Sequence, residues 1–152
     1  MARAMKISKE RVADRFTDGR VASAWTEERA NVVFECEPTD NKNEKGFDAR
    51  CKGKKVSNRT LTSSTGFKAQ KSVNIGKGRK CSPQELMDAA KSVRWFVVTD
   101  ITIPGFFDHL KIPSSTVVRW IENGRLTQSG LRKDAFYDLL CEEYDLEYET
   151  VE

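Results

Sequence analysis

Residues Phe47–Ile75, FDARCKGKKVSNRTLTSSTGFKAQKSVNI, decide how this chain is read. Phe47 to Val56 alternates weakly between apolar and polar residues, which predicts a strand. Ser57 to Gly66, rich in Ser, Thr and Asn, is expected to form the far end of a long hairpin. Phe67 to Ile75 returns as a second strand, and Gly76-Lys77-Gly78 closes it. Two antiparallel arms of this kind bring residue 48 near residue 69. A two-residue period points 69 and 71 to one side.

The same stretch carries most of the positive charge. From Lys42 to Lys80 there are twelve Lys or Arg residues against Glu44 and Asp48, a local balance of +10. The net charge of the whole chain is only +3, because Cys141 to Glu152 holds six acids and no base. So dense a basic run with Ser, Thr and Asn interleaved favours contact with phosphate over a merely solvated face. Lys52, Lys54, Lys55, Arg59, Lys77 and Arg79 are the expected contacts.

Outward from this stretch, Ser8 is a plausible cap for a helix carrying Val12, Ala13 and Phe16 on one face. Arg20 to Ala30 is a second helical run with Val21, Ala24, Trp25 and Glu28 on one side. Asn31 to Glu37 is short, apolar and β-branched, hence a strand or its entry, and Pro38 to Gly46 is a polar loop. Ser82-Pro83-Gln84-Glu85 combines an N-cap, a proline at the first helical position and a capping-box glutamate. Trp95 to Ile101 is the most strand-like run in the chain. Strand, strand, helix, strand with helices at both ends predicts an α/β core.

The remaining bounds are broad. A chain of 152 residues supports one domain or one domain with an appendage. No apolar run is long enough to span a bilayer, and the N-terminus is too charged for a secretory signal. Cys36, Cys51, Cys81 and Cys141 are scattered without a C-x-x-C pair. That argues against zinc and for reduced thiols in a cytoplasmic protein.

Phosphodiester cleavage needs a divalent metal held by carboxylates, and a nearby Lys to orient water and stabilise developing charge. Asp48, residue 69 and Lys71 stand where such a site would want them, and Mg2+ or Mn2+ is the expected metal. This arrangement, over Phe47 to Ile101, resembles the PD-(D/E)xK nuclease superfamily of type II restriction enzymes, certain homing endonucleases and repair nucleases. The resemblance implies a small restriction-endonuclease-like mixed sheet flanked by helices. It also implies Asp48 as first acid, Lys71 as the motif lysine, and metal contacts from Asp48, the carbonyl of Gln70 and Glu28. The chain departs from the pattern at Ala69, where an acid is required. Three readings stand: Ala69 replaces an acid in an inactivated variant, the acid has moved to Glu28 or Glu35, or the match is accidental.

The last third changes character. Gly105 to Ile112 and Ser114 to Asn123 are expected as two short helices around Pro113, with Leu131 to Tyr144 a third. FFDHLKIPSSTVVRWIENGRL resembles a helix-turn-helix of excisionase and MerR-like type. Ser114 would cap the second helix, and Val117, Val118 and Ile121 would pack. Ser115, Thr116, Arg119, Asn123 and Arg125 would reach DNA. His109, the lone histidine, is expected to pack or touch phosphate, and Trp120 to lie in the core. The sequence thus predicts a nuclease-like core over 1–103 and a helix-turn-helix unit over 104–152. The expected function is sequence-specific cleavage of double-stranded DNA, of restriction or homing type, in a bacterial, archaeal or phage setting. One active site per chain implies a homodimer for double-strand cutting. The alternative is a non-catalytic DNA-binding regulator of phage or excisionase-like kind.

Overall fold

The computed structural model describes residues 19–39, 47–70, 81–103 and 106–145. The helix expected after Ser8, the return strand beyond Gln70, and Lys71, Lys77 and Arg79 lie outside those residues. The described chain forms α1 (Gly19–Val33), β1 (Cys36–Pro38), β2 (Ala49–Cys51), β3 (Lys54–Leu61), α2 (Pro83–Lys91), β4 (Trp95–Asp100), β5 (Asp108–Pro113), α3 (Ser114–Glu122) and α4 (Lys133–Tyr144). The five strands make one sheet in chain order. β3 and β4 run parallel, and every other neighbouring pair is antiparallel. This is an α/β fold with a mixed sheet between helices, as the element order predicts.

Strand periodicity sends alternate residues of β3 and β4 to opposite layers. Ala30 of α1 packs with Ala49, Cys51, Val56 and Val97 on one face. On the other face α2, α3 and α4 bring Leu86, Val117, Trp120 and Phe136 against Leu61, Phe96 and Val98. At the centre of this larger layer Phe67 stacks on Phe136, with centroids 5.0 Å apart, and meets Phe96 and Trp120 edge-on. The start of α2 is as expected: Ser82 accepts from the Glu85 amide and the Glu85 carboxylate accepts from the Ser82 amide. Trp120 is a core residue.

Several expectations are corrected. The hairpin is short: Cys51 pairs with Lys54, so Lys52-Gly53 is the whole turn and Ser57 to Leu61 is strand. Lys52 and Gly53 both have positive φ, 49° and 74°, as a two-residue type I′ turn requires. Residues 67–70 are not a strand beside β2. Phe67 makes one isolated bridge to Leu131, and the approach is so close that a Cβ on Gly66 would lie 1.9 Å from the Leu131 carbonyl oxygen.

Where the predicted helix over 105–112 is described, residues 108–112 are instead part of β5, whose Asp108–Pro113 pair with Trp95–Asp100. The expected boundary at 103/104 therefore falls between two paired strands, and α3 and α4 share the core of the N-terminal elements. Ser114 is not the cap of α3; Pro113 holds that position without a side-chain hydrogen bond. Finally, Cys36 and Cys51, direct cross-strand partners on β1 and β2, form a disulfide, while Cys81 and Cys141 take no part in one. Among the described residues no helix is long and apolar enough to cross a membrane.

Candidate functional site

Asp48 immediately precedes β2, and the antiparallel register Ala49↔Val56 decides what stands beside it. Alternation puts Asp48 and Arg50 on the same face as Lys55, Ser57 and Arg59 of β3. The Asp48 Oδ2 accepts from the Asn58 amide at 2.8 Å and the Ser57 hydroxyl at 3.1 Å. The Arg59 guanidinium lies 3.8 Å away. Two residues spaced by two on the strand next to the leading acid are thus Ser57 and Arg59. These stand where an acid-x-Lys pair would face Asp48, and Ala69 does not.

Arg59 is committed to backbone contacts. It donates to the carbonyls of Lys68 at 2.6 Å, Asn58 at 2.7 Å and Ala69 at 2.7 Å, and lies over the Phe96 ring. Burial lowers its pKa, and the negative charges of Asp48 and Glu27 oppose that shift. The guanidinium therefore ties residues 68 and 69 to the sheet and balances Asp48. This removes Arg59 from the set of expected phosphate contacts.

The other expected members of the site are dispersed. Ala69 is 1% exposed with its side chain in the apolar core, so no hole opens there toward Asp48. Gln70 is buried and its Nε2 donates to the Gln128 carbonyl at 2.7 Å, fastening it to the turn before α4. Glu28 is exposed on α1, yet it does share an open cleft of about 610 Å³ with Asp48, Glu27, Asn31 and Thr39 at the end of the sheet. Glu35 does not line it. Glu27, which the sequence reading passed over, thus stands with Glu28 and Asp48 around one opening. Across β3, the buried Asn58 side chain has no hydrogen-bond partner for its Oδ1 or Nδ2 among the described residues.

A hard divalent cation takes oxygen donors and keeps several waters. The carboxylates of Asp48, Glu27 and Glu28 around an open cleft fit that requirement. Among the described residues no three acidic, His or Cys side chains converge on one point. A cation bound there would draw on one or two of these carboxylates and on water.

Beyond the cleft, the hairpin presents Arg50, Lys52, Lys54 and Lys55 to solvent. Arg50 and Lys55 are direct cross-strand partners, and both lie over the Phe47 ring at 4.8 and 4.9 Å. Like charges facing each other across a ladder destabilise it. The ring's negative face offsets part of that repulsion, and a bound anion would offset more.

The C-terminal helices differ. Thr116 is 2% exposed and within 3.3 Å of the Tyr144 hydroxyl, so it is a packing residue and not a reader. Arg119 pairs with Glu143 of α4, and Arg125 with Glu142 at 3.0 Å. Ser115 and Asn123 are exposed. His109 sits on β5, its Nδ1 2.9 Å from the Thr99 hydroxyl, packed by Phe107 and Phe34. Burial first, and Arg29 second, lower its pKa. The chain matches no protein-family model, no curated protein and no solved structure.

Proposed function

We propose that this chain acts on double-stranded DNA as a divalent-metal-dependent endonuclease, working from the cleft where α1 meets the head of β2. The observation that carries the reading is the grouping of Asp48 with Glu27 and Glu28 around that cleft, on the same sheet as the exposed basic hairpin. A bound Mg2+ or Mn2+ would supply an activated water and neutralise charge on the phosphate. Asp48 and Glu27 are the residues that would hold it.

The chain's own groups then have distinct tasks. Arg50 and Lys55 draw the phosphate backbone to the face that also carries Asp48. Arg59 fixes the Asp48 carboxylate from behind, with help from the Ser57 hydroxyl and the Asn58 amide. One cleft per chain serves one strand, so a double-strand break calls for two copies.

A second reading, a DNA-binding protein that does not cut, is favoured by a specific observation. A hydroxyl, that of Ser57, stands where a second strand-borne carboxylate would face the metal, and Arg59 is spent on carbonyls.

One experiment separates the two. Supercoiled plasmid and bacteriophage DNA are incubated with the protein and Mg2+ or Mn2+, alongside Asp48→Asn and Glu27→Gln. Metal-dependent nicking that both variants lose, with DNA affinity retained, supports the endonuclease. If wild-type protein shifts DNA in a gel yet never cuts it with either metal, the binding protein takes its place.

A further inference from the structure

One wall of the Asp48 cleft is tied by a covalent bond. Cys36 and Cys51 stand opposite each other on β1 and β2, and their disulfide closes a loop of sequence separation 15. The residues that the sheet side contributes to the cleft all lie in that loop: Cys36 itself, Pro38, Thr39, Phe47 and Asp48. Glu27, Glu28 and Asn31 of α1 line the rest of the opening. Both cysteines are on the α1 side of the sheet, packed with Ala30 of α1 and with Ala49, Val56 and Val97. Cys36 therefore belongs to the bond and to the cleft wall at once.

Little else holds β1. It is three residues long, lies at the margin of the sheet and pairs with β2 alone. Glu37 and Pro38 are exposed, and a proline offers no amide to a ladder. Beyond them, Thr39 leans on the Asp48 carbonyl through two long contacts, 3.3 Å from its amide and 3.4 Å from its hydroxyl. Marginal segments of this kind open locally more readily than the interior of a sheet. A crosslink withholds the freedom that the enclosed loop regains on opening, and cutting the bond returns it. Cys36 is 9% exposed and Cys51 2%, so fraying of β1 uncovers the Cys36 sulfur first.

We infer that the Cys36–Cys51 bond is a redox latch on the cleft: a dithiol opens it, β1 comes away from β2, and the wall facing Glu27 and Glu28 is lost. The exchange balances between the two reactants. A thiolate of the dithiol attacks the Cys36 sulfur as β1 frays, the S–S bond breaks, and Cys51 leaves as a thiolate that takes up a proton. The second thiol of the reductant then displaces Cys36 from the mixed disulfide, and Cys36 is protonated in turn. Two electrons and two protons pass to the protein, and the reductant becomes a cyclic disulfide. A disulfide oxidant such as oxidised glutathione reverses the steps. The opening of β1 is independent of the proposed function; only its consequence for a bound cation rests on that reading of the cleft.

Amide hydrogen exchange of the full chain, followed by mass spectrometry, is measured before and after treatment with dithiothreitol. Alkylation should mark Cys36 and Cys51 only after reduction. Exchange in peptides covering residues 36–39 and 49–51 should then quicken about tenfold or more, while that of β4 stays as it was. Mn2+ affinity, read from the EPR signal of the free ion once the reductant has been removed, should fall about fivefold or more and return with oxidised glutathione. The double variant Cys36→Ser with Cys51→Ser should match the reduced chain in both readings and ignore dithiothreitol. Reduction of the unaltered chain carries the test where that variant does not fold. Cys141→Ser should leave both responses in place. The inference is overturned if β1 exchanges equally in both redox states, if β4 quickens as much as β1, or if Mn2+ binds both states equally well. Local opening of β1 in a chain that binds no Mn2+ in either state keeps the latch and sinks the cation reading of the cleft.

Discussion

Two parts of the molecule carry exposed arginine and lysine, and they are built on opposite principles. In the β2–β3 hairpin, Arg50 faces Lys55 across the ladder, with an aromatic ring beneath both and no described carboxylate pairing with either. In the C-terminal helices, Arg119 and Arg125 of the α3 region meet Glu143 and Glu142 of α4 one for one. The sequence shows a basic stretch and an acidic tail far apart. Folding brings the acids onto the helix that looked most like a DNA reader, whereas the hairpin's Arg50 has Glu37 of β1 opposite it in the ladder and forms no ion pair among the described residues. Local positive charge is therefore an argument for phosphate contact only after its pairing is known.

The hardest way to break that contrast is from below the hairpin. Asp48→Ala removes the counter-charge of a buried guanidinium, and uncompensated buried charges of this kind cost about 3–5 kcal/mol. A melting temperature lowered by many degrees is the expected result, and an unchanged one would show that Arg59 does not need Asp48. Next in size, Arg50→Ala with Lys55→Ala should weaken binding to all duplex sequences. It should also reduce the slope of log affinity against log salt by about two, roughly one per phosphate contact. An unaltered slope would move DNA contact elsewhere.

A smaller effect concerns Asp100, whose folded-state pKa lies below its unfolded value. Its stabilisation is fully present above the unfolded carboxylate pKa of about 3.9 and is lost as pH falls through the folded value. Asp100→Asn should flatten the acid limb of the stability curve and leave its shape near neutral pH unchanged. Smallest of all, Arg119→Ala breaks an exposed pair and should cost about 0–1 kcal/mol of stability. If Glu143→Gln sharpens discrimination between DNA sequences, α3 does read bases and the contrast between the two regions softens.

Much of the architecture was legible from local chemistry. The capping box at Ser82, the β-branched run at Trp95 and the packing face of α3 each rest on short-range physics, and each element formed where that physics puts it. The hairpin was misread because Lys52-Gly53 is not one of the common turn pairs, although its glycine supplies one of the two positive φ values the turn requires. Strand β5 was missed for a different reason. Asp108-His109-Leu110-Lys111-Ile112 alternates polar and apolar residues, but the neighbouring Phe106 and Phe107 suggest a helical stripe to a longer window.

The register of the candidate site depended on the hairpin. Moving the turn from Ser57–Gly66 to Lys52-Gly53 puts Ser57 and Arg59 of β3 beside Asp48, in place of the expected Ala69. The pairing of Arg119 and Arg125 with α4 was beyond local reasoning, since it links residues 24 and 17 positions apart.

The two margins of the sheet bear on how copies of the chain can meet. A strand with a long, flat, uncharged outer edge invites another chain to extend the ladder, and such edges are usually blunted. Here one margin, β1, is three residues long, ends in Pro38 and is stapled to its neighbour by the Cys36–Cys51 bond. The other, β5, carries Asp108 and Lys111 and ends in Pro113. β1 is too short for continuous pairing, and the charges on β5 disfavour it. Sheet-to-sheet extension between copies is thereby disfavoured at both margins.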